Sequence, residues 1–449
     1  SRGLGDVYKR QFSNLKLRAS YGQTGNQGIN SYQTMVSLGS ANYPFGGITD
    51  SGFAGDTSKG PLNKDLKWET TITRNIGFDF GFFNNRLTGT IDAYWNTTKD
   101  LLMKTTIPGI TGFTATYANV GQTSNKGIEI ALQGVLVQTK DWNVTAGFNI
   151  NFNRGNVDEL ADNVTGLYGT QWASGSTFPS SDYILMEGKP VGLVRGLIAD
   201  GFYTTSDFTY ANGIYTLKEG IPDISSVVFP NYHLHSGMNE RPAGQSAYPG
   251  MPKFKDRDNN GIINDDDVEV IGDMTPVHTG GFNINTSYKN FDLGLYFNWS
   301  YGNEIYNANK LGALYGYKES GVYENKLSLV KDCYKIYDVV GGQLVALTTP
   351  EQLDAANVNA KLPLAYSENG YVSTLGIEDG SYLRLNTLTL GYTLPKQFIK
   401  KAGISNLRVY GSIYNVFTIT GYSGLDAEVN TNTSTSDYPK WGLDWGTYP

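Results

Sequence analysis

Long segments in which apolar and polar residues alternate constrain this 449-residue chain more than any other feature. Ile76, Phe78, Phe80 and Phe82 fall on one side of an extended segment, with Asn75, Gly77, Asp79 and Gly81 on the other. The chain turns at Asn84-Asn85 and returns with Leu87, Gly89, Ile91, Ala93 and Trp95 set against Thr88, Thr90, Asp92 and Tyr94. Successive side chains of a strand point to opposite faces, so each segment is apolar on one side and polar on the other.

Three more hairpins repeat the pattern. Ile128, Ile130 and Leu132 oppose Glu129, Ala131 and Gln133, and the partner strand carries Trp142, Val144, Ala146, Phe148 and Ile150. Phe282, Ile284 and Tyr288 lead through a Lys289-Asn290 turn into Phe291, Leu293, Leu295, Phe297 and Trp299. Leu388, Leu390, Tyr392 and Leu394 precede a turn over 395–406, after which Leu407, Val409 and Ile413 lead away. A first strand, after a turn at Ser13-Asn14, holds Leu15, Leu17, Ala19 and Tyr21. These make nine strands in all. Between the hairpins, residues 23–69, 99–125, 154–275 and 301–380 read as long polar loops, with a helix near Pro350–Ala356.

Only a closed sheet can cross a bilayer with strands, because an open edge leaves backbone groups unsatisfied in hydrocarbon. The strict alternation of short and long connections matches bacterial outer-membrane barrels, whose short turns face the periplasm and whose long loops face outside. The fold class read here is therefore all-β, an antiparallel transmembrane β-barrel with long extracellular loops. Nine strands that begin and end upward cannot close a bacterial barrel, whose strand number is even. We expect residues 12–449 to be the C-terminal part of such a wall, with a closing strand beyond Pro449. Residues 1–11 fit no pattern and read as a non-native leader. A soluble β-sandwich also alternates, but seldom separates its hairpins by such long loops.

Composition agrees. Aromatic residues reach 13% and charged residues only 17%, where a soluble enzyme carries about a quarter charged. Trp95, Trp142 and Trp299 sit near strand ends, as interfacial girdle residues do. The net charge of -7 argues against a nucleic-acid footprint, which needs a broad basic face, and the chain is read as lacking a Lys/Arg cluster interleaved with aromatics. The single cysteine, Cys333, excludes a disulfide framework. No apolar run is long enough for a transmembrane helix.

Several segments resemble the SusC/RagA family of TonB-dependent outer-membrane transporters. They are Leu15–Asn26 (LKLRASYGQTGN), Leu66–Thr70 (LKWET), Asn119–Ile130 (NVGQTSNKGIEI), Tyr382–Tyr392 (YLRLNTLTLGY), Val409–Thr418 (VYGSIYNVFT) and Tyr422–Glu428 (YSGLDAE). The resemblance implies a plugged barrel of about 22 strands in the outer membrane of a Gram-negative bacterium. It also implies a SusD-like lipoprotein over the mouth, an oligosaccharide or peptide substrate, and energy from the TonB complex acting on an N-terminal region absent here. A passive porin-like channel or adhesin barrel is the second reading, and a secreted β-rich carbohydrate-binding module the third.

One local motif carries its own chemistry. Asp256, Asp258, Asn260, Gly261, Ile262, Asn264 and Asp267 fit the spacing of an EF-hand Ca²⁺ loop, with Asp in place of the last Glu. Gly261 would make the sharp bend, Ile262 would supply its backbone carbonyl and the remaining residues side-chain oxygens, making Ca²⁺ a structural staple for a loop without flanking helices. A solvated acidic Asn-Gly turn on a surface loop is the alternative. His233 and His235 are two apart, a spacing that could chelate a metal from a strand, but among three histidines with no nearby cysteine the plain reading as loop residues is preferred. No nucleophile or Walker motif occurs, so catalysis has no support and the chain is read as a non-enzyme. Tyr168, Trp172, Tyr315, Tyr317 and Tyr323 are the candidate ligand contacts, with packing inside the loops as the alternative.

Overall fold

The computed structural model describes residues 12–27, 38–45, 48–55, 63, 65–106, 110, 115–161, 164–173, 177–225, 241–315, 327–365, 370–429 and 440–445. Nine strands form one sheet in strict chain order. They are β1 (Phe12–Asn26), β2 (Glu69–Phe82), β3 (Leu87–Lys99), β4 (Gln122–Gln138), β5 (Trp142–Glu159), β6 (His278–Tyr288), β7 (Phe291–Tyr301), β8 (Tyr382–Thr393) and β9 (Arg408–Thr420). Every neighbouring pair is antiparallel. The shortest of the nine, β6 and β7, have 11 residues each, enough to cross a bilayer, which takes about 9–11 tilted residues. Among the described residues the outer edges of β1 and β9 have no strand partner, so the sheet is open.

The register keeps the two faces separate. Ile91 lies opposite Ile130, and Ile130 opposite Ile150, so an apolar row crosses β3, β4 and β5. The row one residue away joins Asp92, Glu129 and Asn151. A slip of one residue would exchange the faces, so the pattern fixes the pairing. In the β2–β3 turn Phe83, Asn84 and Asn85 adopt φ of 56°, 56° and 61°, the left-handed region that Asn tolerates better than other non-glycine residues.

The aromatic rings form interfacial contacts at the short-turn end. Trp142 meets Tyr288 at 4.4 Å between centroids, Phe291 meets Tyr392 at 4.7 Å, and Phe12 meets Phe82 at 5.0 Å. At the opposite end Trp299 donates from its indole nitrogen to His278 Nδ1 at 3.0 Å.

Two readings of the chain change. Ser13-Asn14 is no turn but part of β1, with a register shift between Phe12 and Asn14. The long polar segments also contain ordered structure. Residues 23–69 hold a hairpin (Leu38–Phe45 with Ile48–Gly55), and residues 99–125 hold another (Leu102–Thr106 with Ala115–Asn119). The described residues of 154–275 and 301–380 interlock into a body whose two largest cores draw on both segments.

The larger core gathers Phe178, Tyr203, Phe254, Leu353 and Tyr371 from both segments. Thr177–Phe178 pairs in parallel with Gly370–Tyr371 across the two, and Leu443–Asp444 pairs in parallel with Glu304–Asn307. Among its described residues this body carries α1 (Ala308–Tyr315) and α2 (Pro350–Asn357). The second begins as expected: Thr349 and Gln352 form a capping box ahead of a proline in the first turn. The expected turn after β8 contains the one-turn helix α3 (Lys396–Ile399) and a following 3-10 turn.

Candidate functional site at the extracellular mouth

The polar face of the sheet is held by ion pairs that cross whole strands. Arg18 on β1 pairs with Asp79 on the adjacent β2 and reaches over that strand to Asp92 on β3, at 2.8 Å each. It passes over Gly77, where any Cβ would collide with the Asp92 carboxylate and the guanidinium. Arg408 on β9 reaches Asp292 on β7 at 2.5 Å across Gly391, again where a side chain would strike the pair. Glycine at the crossed position is what lets an arginine bridge alternate strands.

Higher on the same face Arg384 is only 7% exposed. It pairs with Asp426, and with Glu428 at 2.5 Å. Its Nε donates to Thr418 Oγ1 at 2.9 Å. Glu428 also accepts from Tyr382 Oη at 2.8 Å and from Asn298 Nδ2 at 3.1 Å. The segment following β9 is thereby tied onto the polar face of β7 and β8. Its first part is fixed by Glu378, which accepts from Ser423 N and Oγ at 2.9 Å each and from Lys310 Nζ at 3.0 Å. Burial opposes the Glu378 charge, but these bonds from Ser423 and Lys310 prevail and hold its carboxyl below the usual range. Arg384 and Glu378 were not found from sequence. The available signal was an arginine between Leu383 and Leu385, with an Asp-x-Glu shortly after the last strand.

The acidic loop brings three of its carboxylates together. Oxygens of Asp256, Asp258 and Asp267 all lie within 4.8 Å of one another, and Asp267 is fully buried. Asp267 accepts from Arg257 N at 2.7 Å and Asn264 N at 2.8 Å. Asp256 accepts from Gly261 N at 2.8 Å, where Gly261 has φ of 85°. The ladder to the neighbouring strand uses the carbonyls of Gly261 and Ile263 and passes over that of Ile262. Asn260 Oδ1 accepts from Ile262 N at 2.8 Å. Asn264 Oδ1 is turned to cap the Asp265–Asp267 turn, accepting from Asp266 N at 2.6 Å.

The aromatic candidates separate. Tyr168 is 54% exposed, and the Arg195 guanidinium lies 4.7 Å from its ring centroid. Trp172 packs edge-on against Tyr306 at 5.9 Å and Trp445 at 5.7 Å, beside the smaller core. Tyr315 ends α1. Tyr317, Tyr323, His233 and His235 lie outside the described residues. Cys333 is buried, and burial pushes its thiol up to about 11, so it is an inert thiol.

An antiparallel sheet with one apolar and one polar face, aromatic rings at both ends and a folded cap on the long-loop side defines the wall of an outer-membrane β-barrel. The family model described as "TonB dependent receptor-like, beta-barrel" matches residues 4–416. The chain belongs to this family of outer-membrane TonB-dependent receptors, in its SusC/RagA branch. It is 30% identical over 439 residues to TonB-dependent receptor P3 of Formosa agariphila, covering 97% of this chain and 38% of that protein. It is 28% identical to TonB-dependent receptor SusC of Bacteroides thetaiotaomicron, over 95% of this chain and 36% of SusC. The solved RagAB peptide transporter superposes with a TM-score of 0.64 at 25% identity, over 93% of this chain and 38% of that one. The chain thus spans less than two-fifths of the length of these relatives.

Proposed function

We propose that this wall belongs to an active importer of oligomeric nutrients, glycan or peptide, working with a SusD-like surface lipoprotein and driven by the TonB complex. The observation that carries the reading is the structural match of the nine-stranded sheet and its interlocked body to the RagAB peptide transporter, with the sequence match to SusC, each over nearly the whole chain. In this reading the strands hold the protein in lipid and the body shapes the mouth. Exposed Tyr168, its ring backed by Arg195, offers a stacking face for a captured solute. No catalytic step is assigned. Uptake of a labelled oligosaccharide or peptide mixture by cells expressing the intact protein tests it. Saturable uptake that collapses when the proton-motive force is dissipated is expected. Uptake that rises linearly with concentration and ignores the proton-motive force would make the protein a passive pore.

We further propose that the acidic loop holds a structural Ca²⁺. An all-oxygen donor set with three convergent carboxylates, one fully buried, suits a hard cation. Asp256, Asp258 and Asp267 would supply charge, with Asn260, Asn264 and the Ile262 carbonyl as further oxygens. For Asn264 this requires its side chain to leave the cap it now makes. Chelation is expected to lower the melting temperature of the intact protein, and Asp256→Ala to abolish that dependence. Identical melting with and without chelator in the unmutated protein sinks the idea.

A further inference from the structure

The short turns of the sheet form a rim whose charge is almost entirely of one sign. The stretches 83–86, 138–142, 288–291 and 394–407 contain Arg86, Lys140, Lys289, Lys396, Lys400 and Lys401, but only one carboxylate, Asp141. Backbone bonds make neighbouring turns continuous: Lys289 N donates to Asp141 O, and Thr393 N to Asn290 O, both at 2.8 Å. None of the six cations has a carboxylate partner among the described residues. The contrast with Arg408 is direct, since that guanidinium turns to the polar face and is taken by Asp292.

The longest of these turns adds an apolar component. Leu394 N closes it on Leu407 O at 2.9 Å, and Ile399 is buried beneath it. Phe398 nevertheless stands 68% exposed, with Ile404 and Leu407 also exposed, among Lys396, Lys400 and Lys401. The turn lies just beyond the Phe291–Tyr392 and Trp142–Tyr288 ring pairs that mark the edge of the apolar face.

We propose that this rim binds anionic phospholipid headgroups of the leaflet on the short-turn side. The occupant follows from charge complementarity and from continuity with the lipid-facing wall. Ammonium groups on long apolar stems at the level of an aromatic girdle meet phosphates while their stems stay in the interface. Exposed Phe398 beside them has an acyl boundary to enter. Each cation near an anionic membrane surface contributes about fivefold in affinity. The proposal is independent of the solute carried.

The intact receptor, reconstituted in phosphatidylcholine with and without phosphatidylglycerol, provides the test, with retained lipids counted by native mass spectrometry. The unmutated protein is expected to retain phosphatidylglycerol preferentially, and less so as salt screens the rim. The triple variant Lys396→Gln, Lys400→Gln, Lys401→Gln should lose at least about tenfold of that preference. The corresponding triple arginine variant should keep it. Equal retention of the two lipids by the unmutated protein would overturn the proposal, whatever the stability of the variants. So would a folded glutamine variant with unchanged preference, or one whose only defect is weaker sedimentation with peptidoglycan.

Discussion

Phe254→Ala is expected to unfold the extracellular body while leaving the barrel wall intact. Phe254 is 1% exposed, sits in the larger core, and meets Tyr371 edge-on at 5.5 Å between centroids. Truncating a buried phenylalanine costs about 3–5 kcal/mol, the transfer free energy plus the cavity left behind. That is a large part of the stability of an ordinary domain, about 5–15 kcal/mol. The core here is assembled from segments far apart in sequence and tied by strand pairs as short as two residues. It has little local structure to fall back on. External protease applied to cells carrying the intact protein should cut the variant within 160–277 and 302–381 and spare the unmutated form. Equal protection of both would mean that the body is not held by this core.

The second large effect distinguishes the two faces of the sheet. Ile91 is 39% exposed and lies midway along β3 on the apolar row with Ile130 and Ile150. Ile91→Lys should destabilise the folded barrel in lipid by about 2–4 kcal/mol, the cost of a lysine near the bilayer midplane. Thr90→Lys, one residue away beside Asp79 and Ala131 on the polar face, should change stability by less than about 1 kcal/mol. Urea titration of the intact protein folded in liposomes measures both. If the two substitutions cost the same, the apolar face does not meet lipid. The distinction also separates a membrane wall from a soluble sandwich, in which the apolar face would be sealed in a core.

The strands and the site were legible to very different degrees. Every strand of the nine-stranded sheet was readable because period-two alternation is a local property, and a membrane wall preserves it from end to end. Its two-sided environment, lipid on one face and a polar interior on the other, leaves no competing pattern. The Asp256–Asp267 loop was legible for a similar reason, since its spacing lies within one short stretch. The body over the mouth was not. Its core residues come as short isolated groups such as Ile305-Tyr306 and Tyr371-Val372, separated by polar turns, and many are tyrosines. Tyr203 and Tyr215, both buried, satisfy their hydroxyls on the carbonyls of Pro222 and Thr348. A residue that is polar in a composition count can therefore be core in the fold.

The amino-acid sequence by itself determined which residues of the wall strands share a face, where its four hairpins turn, and which end of the wall carries the long loops. Each of these depends on neighbours within a few positions, and the backbone geometry of a strand converts that order directly into faces. Only the tertiary structure decided what those loops do together. Arg384 finds Asp426 and Glu428 more than forty residues away, and Thr177–Phe178 finds Gly370–Tyr371 across nearly two hundred. Such pairings leave no periodic trace, because they depend on where the barrel strands deliver the ends of each loop.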